Sequence, residues 1–338
     1  MVDRSAKGRR WAACTLVLLA PVCAELTLGA MPLHLAWLML PLLIPMYGAG
    51  VLLVRELVRR AGGGWPSLLL LGVAYEIAED GLGLQALSSP NLYNAALWGP
   101  RVLGLNTTYW ESQIGYHLAF SVVIPIMLTE LLFPAHRDRP YLRRGGLVVT
   151  GVVAVLGVAV VRVTIPPVAD PGYQAPVPAL VGSVLAIAAL AVLALRVLPR
   201  RTAPPSRGWT PPHPAVGGAL TALATVAFLG LLMPMGQPLA GGYGVERLVP
   251  MALAAGVAGG TGWLIHRWSA GLTTWHRLWL AGGALVSHTL IGAAFIASTG
   301  FDRVGLLVMA FLTVALLAWA GVARSKPVTR PAAGRPVP

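Results

Sequence analysis

The feature that most constrains this chain is the recurrence of apolar runs about 20 residues long, separated by short polar, Pro-rich or Gly-rich breaks. Such a run crosses a bilayer as an α-helix, because intrahelical hydrogen bonds satisfy the backbone where water is absent. Ten runs are read along the chain, at about 11–31, 33–54, 67–87, 112–133, 147–165, 177–198, 215–235, 248–265, 278–298 and 304–322. The expected fold class is therefore all-α, a polytopic integral membrane protein with about ten transmembrane helices. A mean hydropathy of +0.72 and 11% charged residues exclude a soluble globule.

The first run follows Arg4, Lys7, Arg9 and Arg10 and raises the question of a cleaved signal peptide. It is longer than a signal core, and Ala20-Pro21-Val22 before Cys23 is a poor lipoprotein cleavage sequence, so it is kept as helix 1. The chain divides into a six-helix portion over 1–200 and a Pro/Arg-rich linker over 201–214. A four-helix portion over 215–323 and a basic tail over 324–338, expected to be disordered, complete it. Cys14 and Cys23 lie on one helix about 13 Å apart along its axis and cannot pair. Arg outnumbers Lys 23 to 2 and Ala, Gly and Pro abound, the composition of a G+C-rich bacterial gene; a bacterial plasma membrane is the expected location.

A net charge of +13 in a soluble chain would suggest nucleic acid as a partner. Here the basic residues occupy loops. With ten spans, 21 Lys and Arg fall on the side of the N-terminus and 3 on the other, with Arg162 inside a helix. That asymmetry puts both termini in the cytoplasm. It assigns the charge to topology and to an anionic inner leaflet, and removes nucleic acid as a partner.

One segment breaks the apolar pattern. Tyr75-Glu76-Ile77-Ala78-Glu79-Asp80 sets three carboxyls at i, i+3 and i+4 within a would-be span, so they cluster on one side of a helix. Carboxylates buried in a bilayer are costly and repel one another, and they mark ion or proton pathways. Depth counted at about 1.5 Å per residue brings Glu25, His117 and His288 to comparable levels. The candidate proton, ion or substrate site is therefore Glu25, Glu76, Glu79, Asp80, His117 and His288, under the polar link 88–111, read as an interfacial helix or lid. Nine of the twelve acids precede Tyr141, so the second half offers no embedded acid and no chemically equivalent repeat. The bland alternative is a polar clasp between helices 1, 3, 4 and 9. Glu56, among three arginines, is read as a surface ion pair. Arg162 is read as snorkelling outward, and Ala252, Gly256 and Gly260 as a packing seam on helix 8.

The carboxylate and histidine set favours a proton- or cation-coupled transporter or permease and a non-enzymatic role. A second reading is an intramembrane hydrolase. Glu79-Asp80 with His117 and His288 resembles the acid and histidine set of glutamate-type CAAX-processing membrane proteases. Leu84 stands where that family's acidic motif needs Arg, and Gly292 where its histidine motif needs Asn, so the chain is not assigned to it. A third reading is a non-catalytic membrane subunit of an export or assembly complex. The chain has no phosphate loop, nucleophile elbow, haem-attachment or cysteine-pair metal motif. No cofactor or metal is expected, and an ATP-driven role would need a separate ATPase partner.

The topology is testable. Reporter fusions after residue 323 are expected to give fluorescent GFP and inactive alkaline phosphatase; active phosphatase there would overturn the orientation.

Overall fold

The computed structural model describes residues 4–200, 208–234 and 244–325. Half of the expected linker and nearly all of the basic tail, at 201–207 and 326–338, lie outside the described residues, as does Met235. Among the described residues, eight helices are long and apolar enough to cross a membrane. They are α2 (Leu33–Arg60), α4 (Thr107–Leu132), α5 (Arg144–Ala169), α6 (Val177–Val197), α7 (Pro214–Leu232), α8 (Val245–Gly271), α9 (Thr274–Ile296) and the greater part of α10 (Gly300–Ser325). Two further rods, α1 (4–26) and α3 (65–83), match the remaining apolar runs. They differ in that every stretch of 18 residues on them holds at least three charged side chains, from among Arg4, Lys7, Arg9, Arg10 and Glu25 on α1 and Glu76, Glu79 and Asp80 on α3.

α4 is the hub of the bundle. It packs against α1 and α3 on one side and α7, α8 and α9 on the other, and more than half of it is buried. α2 and α5 close the far side of α3, and α6 lies outside α3. α6 and α8 are largely exposed, with Leu185 and Leu253 facing outward, as lipid-facing helices do. Close approach fixes two of the contacts. A Cβ at Gly48 would run into the Val17 carbonyl, so only glycine lets α2 lie directly on α1. A Cβ at Gly283 would meet the Gly218 carbonyl, which brings α9 onto α7. The expected seam on α8 does not pack within the chain. Ala252, Gly256 and Gly260 are exposed, and a Cβ at either glycine meets nothing, because α8 presents its other side to α7.

One end of the bundle is closed by a charged knot. Arg55 is fully buried, and its guanidinium donates to Glu130 at 3.1 Å and to the carbonyls of His136, Arg137 and Arg139 at 3.2, 2.7 and 3.2 Å. It also lies 3.5 Å above the Tyr141 ring. Glu56 is fully buried too, accepting from the Tyr141 and Leu142 amides at 2.6 and 3.1 Å and from Arg60 at 3.2 Å. The reading of Glu56 as a surface pair is therefore corrected: the α4–α5 loop folds back over α2 and takes both side chains out of water.

The opposite end is covered by the link 84–106. It contains a short 3-10 segment, Leu92–Leu97, and a hairpin of β1 (Arg101–Val102) and β2 (Leu105–Asn106). Leu103 and Gly104, at φ +52° and +81°, form its two-residue turn, the backbone that a tight hairpin requires. The link is more than a surface strip, because Leu92, Ala95 and Trp98 are buried. Arg247 at the start of α8 pins it, donating to the Trp98 carbonyl at 3.1 Å and to the Leu231 carbonyl at 2.6 Å. Arg162 does not simply snorkel: it donates to the Leu82 carbonyl at 2.8 Å and to Gln174 at 3.0 Å, securing the end of α3.

Removing Arg55 leaves Glu130 to Arg59 and Glu56 to Arg60 and two amides, and takes the donor from three loop carbonyls. Arg55→Met is expected to destabilise the purified protein by about 1–3 kcal/mol, read as a lowered thermal unfolding midpoint; an unchanged midpoint would show that the knot is dispensable.

Candidate functional site

Glu25, Tyr47, Glu79, Asp80 and His117 each sit where their helix departs from α geometry. π-helical turns occur at Val22–Leu26 on α1, Ile44–Gly48 on α2, Ile77–Gly83 on α3 and His117–Val123 on α4. They carry Glu25, Tyr47, Glu79 with Asp80, and His117 respectively. A π turn takes an extra residue and re-aims the side chains in it, which is why such turns gather at functional sites. Sequence supplies part of the cause. Pro21 precedes the first turn, Pro45 lies within the second and Pro125 follows the fourth, each lacking the amide hydrogen that a regular helix needs.

These turns face a cavity of about 270 Å³. Glu25, Glu79, Asp80 and His117 line it, with Tyr47, Tyr109, Gln113 and Tyr116 as further polar walls. Tyr93 and Trp98 close it from the link, where Tyr109 stacks on Tyr93 and meets Trp98 edge-on at 5.2 Å. Tyr47 donates to Glu25 at 2.6 Å, and Tyr109 donates to Asp80 Oδ1 at 3.3 Å. His117 Nδ1 lies 2.9 Å from Ser121 Oγ and 3.5 Å from Glu79 Oε2. Glu79 Oε2 and Asp80 Oδ2 are buried without a hydrogen-bond partner among the described residues. No lysine or arginine among those residues lines the cavity.

Two of the six expected site residues are not on its wall. Glu76 is fully buried one turn away, where Trp110 donates to its Oε2 at 3.1 Å, and its Oε1 has no partner. Glu76 closes the α-helical part of α3 and Glu79 and Asp80 lie in the π turn that follows, and only the latter two reach the cavity wall. His288 stacks on Phe120 with ring centroids 3.8 Å apart. The Thr27 hydroxyl oxygen lies 2.8 Å from the Cys23 carbonyl and 3.0 Å from His288 Nδ1, and a hydroxyl that donates to the carbonyl accepts from Nδ1. His288 Nε2 is buried without a partner among the described residues. The tyrosines are the residues that sequence reasoning missed, since their apolar rings merge with the hydrophobic pattern and only the π turns bring their hydroxyls together.

The link is anchored to the body by Asp170, just beyond α5. Ser89 donates to its Oδ2, and the Asn91 amide nitrogen donates to its Oδ1 at 2.9 Å. Asn106 adds bonds to the Ala86 and Ser89 carbonyls, each at 2.8 Å.

This arrangement defines a polytopic helical membrane protein with an acidic, tyrosine-lined cavity at one end of its bundle. A family model described as an uncharacterized membrane protein family matches residues 15–323, and the chain belongs to that family. No curated protein and no solved structure matches the chain.

The Ser89 and Asn91 hydrogen bonds hold the Asp170 carboxyl below its ordinary range. Its folded value being depressed, its contribution to anchoring the link is complete above the unfolded value and is lost as pH falls through the folded one. Asp170→Asn is therefore expected to speed tryptic cleavage at the exposed Arg101 at neutral pH. Cleavage at the wild-type rate would show that Asp170 does not hold the link.

Proposed function

We propose that the protein is a proton- or cation-coupled transporter or permease of the bacterial plasma membrane, with Glu25, Glu79, Asp80 and His117 as its coupling site. One observation carries the reading: three carboxyl groups from two helices face one cavity whose wall, among the described residues, holds no lysine or arginine and only His117 as a titratable base. Their charge has to be met by exchangeable protons or by a bound cation, and the unpartnered oxygens of Glu79 and Asp80 are the atoms available to either. Tyr47 bridges the elements, donating to Glu25 while its ring lies 6.0 Å from that of His117. Tyrosine hydroxyls between acids are suited to relaying a proton.

A hydrolytic reading draws less support from the geometry. Ser121 and Glu79 both approach the same nitrogen of His117, whereas a nucleophile and its orienting acid need opposite ring nitrogens. Ser121 is also fully buried and off the cavity wall.

Solid-supported-membrane recordings of the reconstituted protein test the proposal, using imposed pH gradients with sodium, potassium or methylammonium present. Wild type is expected to give transient currents that fall roughly tenfold or more in Glu79→Gln and in Asp80→Asn, and far less in Glu76→Gln, which lies off the wall. Equal currents in wild type and Asp80→Asn would overturn the coupling role.

A further inference from the structure

A second cavity, of about 490 Å³, lies between α3, α4, α7, α8 and α9, and its walls are almost wholly apolar. Tyr116 belongs to the wall of both cavities. Their order in depth is fixed by the helices that reach both. On α3, Leu69 borders the apolar cavity and Glu79 the acidic one, a separation of about 15 Å along the axis. Phe228 on α7 borders the apolar cavity, and Met233, just past the end of α7, borders the acidic one, again nearer the link. The acidic cavity thus sits at the link end of the bundle, and the apolar one lies deeper, within the hydrocarbon layer.

A cation-binding pocket near the membrane surface, adjoining a hydrocarbon pocket beneath it, has the layout of an amphiphile's head and tail. We propose that the ligand of the carboxylate cavity is a single-chain cationic amphiphile. Its ammonium or guanidinium head sits among Glu25, Glu79 and Asp80, and its alkyl chain runs along the Tyr116 ring into the apolar cavity. This rests on the coupling-site reading and adds the substrate class. The head meets the unpartnered oxygens, and the tyrosine and tryptophan rings of Tyr93, Trp98 and Tyr109 offer faces to a cation. The tail finds room beside α8, where a Cβ at Gly259 or Gly262 meets nothing within 4 Å.

The test uses a long-chain alkylammonium carrying a photoreactive diazirine at its tail, added to the full chain in lipid nanodiscs. Cross-links are located by mass spectrometry. They are expected on residues of the apolar cavity such as Phe228 or Met127 and to be competed by unlabelled long-chain amine but not by the long-chain alcohol. They should drop roughly tenfold or more in Glu79→Gln/Asp80→Asn and in Gly262→Phe, whose ring fills the cavity, with size-exclusion profiles checking that each variant is folded. Cross-links confined to outward-facing residues such as Phe311 or Leu185, or cavity cross-links indifferent to neutralising the acids, would overturn the proposal. Protection of Asp80 from carbodiimide distinguishes the two claims. If methylammonium protects it while no tail label enters the apolar cavity, the amphiphile is wrong and the cation site stands; if neither amine protects it, both fall.

Discussion

The structure depends on keeping four carboxyl groups, those of Glu25, Glu76, Glu79 and Asp80, inside a membrane-spanning bundle with no lysine or arginine opposite them among the described residues. Every neighbouring choice serves that arrangement. Tyr47, Tyr109 and Trp110 donate to Glu25, Asp80 and Glu76 without cancelling charge, and His117 lies 3.5 Å from Glu79. The arginines that could have neutralised the acids are engaged elsewhere: Arg55, Arg59 and Arg60 with Glu56 and Glu130, and Arg162 and Arg247 on backbone carbonyls. The protein separates two kinds of buried acid. Glu56 and Glu130 are paired and close one end, while Glu79 and Asp80 face a cavity at the other.

The backbone makes that separation achievable. A regular helix would hold Glu76, Glu79 and Asp80 on one stripe, but the π turn at Ile77–Gly83 turns the last two into the cavity and leaves Glu76 against Trp110. Matching turns on α1, α2 and α4 bring Glu25, Tyr47 and His117 to the same space. Gly48 allows the α1–α2 contact that puts Tyr47 within reach of Glu25.

Much of this was legible in the residue pattern, and its limits are physical. Hydrophobic run lengths locate the helices because the bilayer sets their length, and the acids of α3 stand out because charge in such a run is rare. Depth counting placed Glu25, Glu79, Asp80 and His117 together, but depth says nothing of rotation, so it also admitted His288, which faces Phe120 and Thr27. Besides Arg60, one turn along α2, the partners of Glu56 include amides of a loop more than 80 residues away, which no local spacing reveals. The same holds for Arg247 and the link. Small-residue spacing on α8 signalled close packing, yet it points away from every other helix, since spacing identifies a face without identifying its neighbour.

The central claim is that Glu79 and Asp80 face a water-filled cavity and are not locked in a dry clasp. In a C14A/C23A background, single cysteines at Gln113, on the cavity wall, and at Thr289, buried beside His288, can be titrated with a charged thiol reagent in nanodiscs. The account predicts that Gln113→Cys reacts in the folded protein while Thr289→Cys reacts only after unfolding. A folded Gln113→Cys protein that resists the reagent as completely as Thr289→Cys would contradict it.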